Sequence, residues 1–313
     1  MNPENWLYLI IGLVIFNYLF STVLDYINGK NWKTEVPPVM KDFYDEDKYL
    51  KAKNYSKEKG KVSLISSTLS TLITLLFLIF EGYGWLDNFI SLYYDIPFLK
   101  SGIFFLVLFI LSDFISIPFS CYNTFVIEEK YGFNKTTVKT FVLDKIKGYL
   151  LTLIVGGILL FGAIYIVSLL ENSFWFWLWL SLSFIMLLVN MFYADLIIPI
   201  FNKLTPLEAG SLREKIETYT KKVGYSLKNI YVIDGSKRST KANAFFSGLG
   251  PRKTIALYDT LVEKHTEEEL VAVLAHEVGH YKKKHVFTSL FLTIFQLGLI
   301  CFLLDTCLKV GEI

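Results

Sequence analysis

Charged residues and cysteines are both scarce in this chain. Asp, Glu, Lys and Arg make up 19% of its 313 residues, whereas 53% are hydrophobic and 17% are aromatic. The apolar residues form long continuous runs, which excludes an ordinary soluble protein. The formal net charge is only +2, which argues against nucleic acid as a partner. The three cysteines, Cys121, Cys301 and Cys307, have no metal-ligand spacing. They predict buried free thiols and no disulfide framework.

Six apolar runs approach or exceed the roughly 20 residues that a helix needs to cross a bilayer. They lie at about 6–24, 62–80, 102–120, 148–170, 174–198 and 286–308. The first run lacks a basic leader and a small-residue cleavage site, so it does not read as a cleavable signal peptide. The sequence therefore predicts a mainly α, polytopic membrane protein.

Basic residues are distributed unevenly over the loops between these runs. Loop 25–61 carries nine lysines, whereas loop 81–101 carries one. Loops 121–147 and 199–285 are basic again. Because basic loops stay on the cytoplasmic side, we expect the amino terminus outside and segment 199–285 in the cytoplasm. A bacterial inner membrane and an endoplasmic reticulum membrane fit this topology equally well.

The runs and loops divide the chain into three expected parts. Residues 1–198 form a transmembrane region with five spans, residues 199–285 a cytoplasmic domain, and residues 286–313 a sixth span. Within the cytoplasmic domain, Gly224 ends a predicted helix that carries apolar residues at helical spacing. Three strand-like runs follow the helix, at 229–234, 242–249 and 254–261. We expect a small α+β domain with an antiparallel sheet.

The most informative motif is His276-Glu277-Val278-Gly279-His280. On a helix with about 100° per residue, the two histidines lie about 40° apart and one turn apart, so both imidazoles can reach one zinc ion. Glu277 flanks the pair and can act as a base on a water molecule without being a ligand. Val278 points away from the histidines and is available for packing.

The remaining histidines are weaker candidates for a metal ligand. Thr266 and Glu269 have the spacing of a capping box, which predicts that the motif's helix begins there. His285 follows His276 by nine residues, so on a continuous helix it would point about 160° away from the histidine pair. His265 precedes the cap and could reach a metal only through a loop excursion.

The strand-like run at 242–247 is the candidate for substrate binding. The unpaired backbone groups of an edge strand can hold a peptide in extended form, with its scissile carbonyl laid across the metal. Asn243 and Ala244 lie on this run. The alternative is that the run is only a structural hairpin strand.

Five segments occur in an order and spacing that cover most of the chain from about residue 25. They are Ile127–Lys135 (IEEKYGFNK), Pro199–Leu207 (PIFNKLTPL), Lys241–Gly248 (KANAFFSG), Leu257–Leu261 (LYDTL) and His276–His280 (HEVGH). Together they resemble the type I family of integral-membrane CAAX prenyl proteases, zinc endopeptidases that process prenylated C-terminal motifs. The first two segments make this resemblance specific, because many peptidases share the last one.

The resemblance implies a barrel of seven helices around a large water-filled chamber, with one Zn²⁺ at its cytoplasmic end. It further implies that His276 and His280 are metal ligands, that Glu277 is the catalytic base, and that Asn243 lies near the substrate. The family usually has His-Ser-Asn-Ala where this chain has Lys241-Ala242-Asn243-Ala244. Its third ligand is a glutamate from an E-x-x-x-D-like motif, and no Glu of this chain has an Asp four residues later. We therefore expect that glutamate and the seventh span beyond Ile313.

The resemblance predicts hydrolysis of peptide bonds near the C-terminus of prenylated CAAX-type peptides or other membrane-associated peptides. The expected partners are this peptide substrate, including an isoprenylated C-terminus, and the lipid bilayer. No obligate protein partner is expected, unless a C-terminal fragment completes the site. Three alternatives remain open: a quality-control membrane metalloprotease, a catalytically incomplete peptide- or lipid-binding protein, and a transporter with a coincidental motif.

Overall fold

The computed structural model describes residues 3–33, 35–170, 174–224, 229–247 and 254–309. The chain folds into two compact units, which are divided between Asn134 and Lys135. The boundary expected at residues 198 and 199 stays a prediction.

The first unit is helical. Its helices are α1 (Pro3–Lys30), α2 (Glu46–Ile79), α3 (Gly82–Ser91) and α4 (Pro97–Tyr122). The Asp45 side chain caps α2 by accepting hydrogen bonds from the backbone N–H groups of Asp47 and Lys48. A π-helical segment, Asn123–Glu128, extends α4. Helix α2 begins inside the loop predicted at 25–61, because lysine and glutamate are good helix formers.

The second unit contains more helices and all the described strands. The helices are α5 (Val138–Leu151), α6 (Gly157–Leu169), α7 (Phe174–Phe192), α8 (Ile198–Phe201), α9 (Ser211–Lys222), α10 (Asp259–Lys264), α11 (Glu267–Lys282) and α12 (His285–Lys309). Two π-helical segments, Thr152–Gly156 and Tyr193–Ile197, join α5 to α6 and α7 to α8. The strands are β1 (Leu204–Pro206), β2 (Asn229–Ile233), β3 (Ala244–Ser247) and β4 (Thr254–Tyr258).

Within the described ranges, six helical stretches are long and apolar enough to cross a membrane, which confirms the six predicted spans. They are Glu4–Lys30, Glu46–Ile79, Pro97–Glu128, Val138–Leu169, Phe174–Phe201 and His285–Cys307. At most 11% of the most apolar window of any of them is buried inside the chain. Their side chains are therefore left for contact with a bilayer. The chain is a polytopic α-helical membrane protein with a small α+β domain.

The sheet of this domain corrects the predicted antiparallel arrangement. Its strand order is β1-β2-β4-β3, and β2 runs parallel to β4. The other two pairs, β1 with β2 and β3 with β4, are antiparallel. The chain between β2 and β4 includes the short helical turn Gly235–Lys237 and the whole of β3, so it is long enough for a crossover. The third predicted strand ends at Tyr258, because α10 begins at the next residue.

The core of the domain lies between this sheet and two helices. Ile216 of α9, Leu257 of β4 and Leu274 of α11 are each 0% exposed and belong to one apolar cluster. Gly224 follows α9 with a φ of +66°, as expected for the residue after a helix end. The packing against the sheet holds α11 in position.

Candidate metal centre

The helix that carries the histidine motif begins where the capping box predicts. The backbone N–H of Glu269 donates to Oγ1 of Thr266 at 3.3 Å, and the backbone N–H of Thr266 donates to Oε2 of Glu269 at 2.8 Å. These reciprocal bonds satisfy two donors that the first turn leaves unpaired. They confirm the predicted start of α11 and fix the position of the histidines, which lie three turns further along.

Ion pairs join the first turn of α11 to α9. The ammonium of Lys215 lies 2.8 Å from Oε2 of Glu267 and 2.6 Å from Oε1 of Glu268. The hydrogen bonds that Lys215 donates to Glu267 and Glu268 hold the pKa of both carboxyl groups below its ordinary value. The same bonds raise the pKa of Lys215. Lys215 and Glu268 are exposed and Glu267 is half-buried, so solvent screens the contacts and each contributes little to stability.

A buried stripe sets the rotation of α11 about its axis. Leu270, Leu274 and Val278 recur every fourth residue and are at most 1% exposed. Packing of Val278 away from the histidines is therefore confirmed. Because the buried stripe is fixed against the core, His276 and His280 are exposed on another side of the helix.

The two histidines of the motif converge. Their Nε2 atoms lie 3.1 Å apart, and their ring centroids lie 4.8 Å apart. Tetrahedral zinc with bonds of about 2.0–2.1 Å holds two ligand atoms about 3.3 Å apart. The donor pair therefore fits two positions of such an ion. Glu277 is the neighbouring residue on the helix and is half-buried.

No group of three histidine, cysteine, aspartate or glutamate side chains able to hold a metal occurs among the described residues. The two histidines thus supply an incomplete coordination sphere within that part of the chain. The glutamate expected as third ligand stays a prediction.

His285 lies beside the motif, although the sequence predicted otherwise. Its Nδ1 atom is 2.9 Å from Nδ1 of His280. The prediction assumed one continuous helix, but α11 ends at Lys282 and α12 begins at His285. Lys284 between them has a φ of +56°, in the left-handed region. The sequence did contain a signal that α11 ends here. A run of three lysines precedes the long apolar run, and basic residues mark the last turn of a helix.

His265 makes a local contact. Its Nδ1 atom lies 3.0 Å from the backbone oxygen of Leu261 at the end of α10. The ring thus lies against the end of α10, where the last carbonyl oxygens of a helix need partners.

The predicted substrate-binding residues lie at the start of an edge strand. The strand β3 begins at Ala244, pairs with β4 alone among the described strands, and packs beside α11. The exposed Asn243 side chain turns back on the chain, because its Oδ1 accepts a hydrogen bond from the backbone N–H of Ala244 at 2.9 Å. Its backbone oxygen accepts from the N–H of Tyr258 at 3.0 Å. The binding roles of both residues stay predictions.

Comparison with protein families assigns both parts of the chain. Residues 25–203 match the family model described as CAAX prenyl protease N-terminal, five membrane helices. Residues 206–311 match the model of peptidase family M48.

Curated relatives align with nearly the whole chain. A probable CAAX prenyl protease 1 from Schizosaccharomyces pombe is 37% identical over 95% of this chain and 65% of its own length. CAAX prenyl protease 1 from Saccharomyces cerevisiae is 35% identical over 90% of this chain and 65% of its own length. The human CAAX prenyl protease 1 homolog is 31% identical over 92% of this chain and 70% of its own length. The chain spans about 65% of the length of the two yeast relatives.

The crystal structure of S. mikatae Ste24p superposes with a TM-score of 0.88 at 34% sequence identity. The superposition covers 96% of this chain and 72% of the other.

Proposed function

This chain belongs to peptidase family M48, among the CAAX prenyl proteases, and we propose that it acts as an integral-membrane zinc metalloendopeptidase. The substrate class is a prenylated CAAX-type peptide or another membrane-associated peptide, cut near its C-terminus. The observation that carries the proposal is the 3.1 Å approach of Nε2 of His276 to Nε2 of His280 on an exposed side of α11. Two neutral imidazoles in this arrangement suit zinc.

The metal site that we propose has His276 and His280 as ligands, and a glutamate from outside the described residues as the third. When bound, zinc would polarise the scissile carbonyl and make an attacking water more acidic. Glu277 would accept a proton from that water as the water oxygen bonds to the carbonyl carbon. The same carboxyl group would then give this proton to the leaving amine nitrogen as the C–N bond breaks.

Substrate binding is assigned to β3. As an edge strand it has backbone N–H and C=O groups on one side that can pair with an extended peptide. Its position next to α11 would direct such a peptide along the histidine pair. Asn243 and Ala244, at the start of the strand, are the residues we expect to contact the peptide.

The membrane orientation follows from the basic loops. We infer that segment 199–285 faces the cytoplasm, because the loops on its side carry most of the lysine and arginine. A CAAX substrate made in the cytoplasm would then reach the site from that side, with its lipid in the bilayer.

The test is a pair of isosteric carboxyl-to-amide variants in the purified protein. We expect Glu277→Gln to bind zinc as the wild type does and to lose nearly all hydrolysis of a farnesylated peptide. The control is Glu263→Gln, which removes the same charge from an exposed position on α10 and should retain activity. His276→Ala should lose both metal and activity. Full turnover by Glu277→Gln would remove that residue from the mechanism.

The same assay separates the substrate classes. Hydrolysis of the farnesylated peptide in preference to the same peptide without its lipid supports the CAAX substrate. Equal hydrolysis of both would favour a quality-control protease, and peptide binding without hydrolysis would favour a binding protein.

A further inference from the structure

The ring of His280 has a close nitrogen partner at each of its two nitrogens. Nε2 lies 3.1 Å from Nε2 of His276, and Nδ1 lies 2.9 Å from Nδ1 of His285. A neutral imidazole carries its proton on only one nitrogen. His280 therefore donates a hydrogen bond in one of these contacts and accepts one in the other.

We propose that His285 is a positioning residue for the metal site, and the proposal rests on the proposed function. The ring of His285 accepts a hydrogen bond at Nδ1 from the Nδ1–H of His280. This bond places the proton of His280 on Nδ1 and puts the lone pair of Nε2 on the side of His276. A metal-binding histidine needs this arrangement, because the partner of its second nitrogen fixes the tautomer and the ring orientation.

The ring geometry agrees with this assignment. The centroids of the His280 and His285 rings lie 5.0 Å apart, and the ring planes make an angle of 70°. Both rings are exposed, so the packing of neighbouring side chains does not by itself fix the orientation of the His280 ring. The hydrogen bond that His280 donates to His285, together with the contact at His276, restricts the rotation of the His280 ring.

His285 does not qualify as the third ligand in this arrangement. It contacts Nδ1 of His280, whereas the nitrogen that faces His276 is Nε2. The two nitrogens lie on different edges of the imidazole ring. An ion held between the two Nε2 atoms therefore lies away from the nitrogen of His285 that contacts His280.

The backbone break between α11 and α12 brings His285 to this position. On a continuous helix, His285 would lie about 140° around the axis from His280. Instead, the N–H of Lys283 donates to the oxygen of Gly279 at 3.0 Å and ends α11. Lys284 then takes a φ of +56°, and its oxygen accepts from the N–H of Thr288 at 2.9 Å in the first turn of α12. The left-handed residue thus redirects the chain so that His285 faces back towards His280.

The first test measures the tautomer of His280 without metal. The chain has four histidines, so ¹⁵N-histidine labelling gives few ring signals, each assigned by the single variant that loses it. Spectra are recorded with chelator at a pH of about 8.5, above the ordinary histidine pKa. We expect Nδ1–H at His280 in the wild type and Nε2–H in His285→Ala. A wild-type His280 protonated on Nε2, or an unchanged tautomer in His285→Ala, would overturn the proposal.

Two further variants separate hydrogen bonding from bulk. In His285→Asn the amide oxygen can occupy the place of Nδ1, so we expect it to keep the wild-type tautomer. In His285→Gln the amide reaches the place of Nε2 instead, so we expect this variant to behave like alanine. Equal behaviour of the Asn and Gln variants would show that the position of the acceptor does not matter, contrary to the proposal.

The second test measures affinity for Zn²⁺ by competition with a chromophoric chelator. We expect His285→Ala and His285→Gln to bind zinc about 10–100-fold more weakly than wild type, and His285→Asn to stay close to wild type. If the wild type binds zinc and His285→Ala binds it with the same affinity, the positioning role alone is overturned. Absence of zinc uptake by the wild type would remove the proposed function itself, and with it any role of His285 towards a metal.

Discussion

Arg238 and Asp144 form an ion pair with two parallel hydrogen bonds. Nε of Arg238 lies 2.7 Å from Oδ2 of Asp144, and Nη2 lies 2.8 Å from Oδ1. The same Nη2 also donates to the backbone oxygen of Phe201 at 2.7 Å. One side chain from the segment between β2 and β3 thus joins the membrane helix α5 to the end of α8. This contact fixes the α+β domain to the helices of its own unit.

Replacement of Arg238 should loosen this connection. We expect Arg238→Ala to lower the free energy of unfolding by about 1.5–3 kcal/mol, the usual contribution of a hydrogen bond to a charged group. Arg238→Lys should recover only part of it, because an ammonium cannot form the two-point contact. Thermal unfolding in detergent measures both. A double-mutant cycle with Asp144→Asn should show strong coupling, and simple additivity of the two changes would contradict the contact.

The capping box of α11 makes a separate prediction. Thr266→Ala removes the acceptor for the N–H of Glu269, so we expect a loss of about 1 kcal/mol in stability. Thr266→Ser keeps the hydroxyl group and should stay close to wild type. Hydrogen exchange of the first-turn amides of α11 is the measurement. Equal protection in the alanine and serine variants would show that the cap does not hold the helix end.

The contacts of Lys215 predict a dependence on pH. The pKa values of Glu267 and Glu268 are lowered in the folded state, so their contacts with Lys215 stabilise the fold at pH values above the ordinary pKa of 4.5. This contribution is lost as the pH falls through the lowered pKa values. Lys215→Met should therefore unfold at a lower temperature than wild type at neutral pH. The difference should shrink in acid, where both carboxyl groups are protonated.

The control for this prediction is Lys221→Met, which removes an exposed positive charge from the same helix. Its difference from wild type should not change over the acidic range in the same way. A difference for Lys215→Met that persisted below the lowered pKa values would rule out the carboxylates as its cause.

The left-handed residue between α11 and α12 gives the last prediction. Gly adopts a φ of +56° without a Cβ clash, whereas a β-branched residue is strongly disfavoured there. We expect Lys284→Gly to be neutral or slightly stabilising, and Lys284→Ile to cost about 1–2 kcal/mol. If the break positions His285, only the isoleucine variant should weaken zinc binding. Lys284→Asn controls for the lost charge, since asparagine tolerates this conformation.

Short-range patterns in the sequence were sufficient for several features. The six apolar runs predict the six spans, because length and apolar character alone decide whether a helix can cross a bilayer. The capping box at Thr266 and the spacing of His276 and His280 also depend only on residues within one or two turns. A helix has a fixed rise and rotation per residue, so such local patterns determine which side chains meet.

The tertiary structure decided what depends on residues far apart or on a single backbone angle. The parallel pairing of β2 with β4 is set by the crossover through β3 and by the core beneath the sheet, and no strand shows this in its own sequence. The contact of His285 with His280 depends on the left-handed Lys284, a conformation that lysine rarely adopts in isolation. A helical projection through that residue put His285 on the wrong side, because one positive φ changes the direction of the whole following helix.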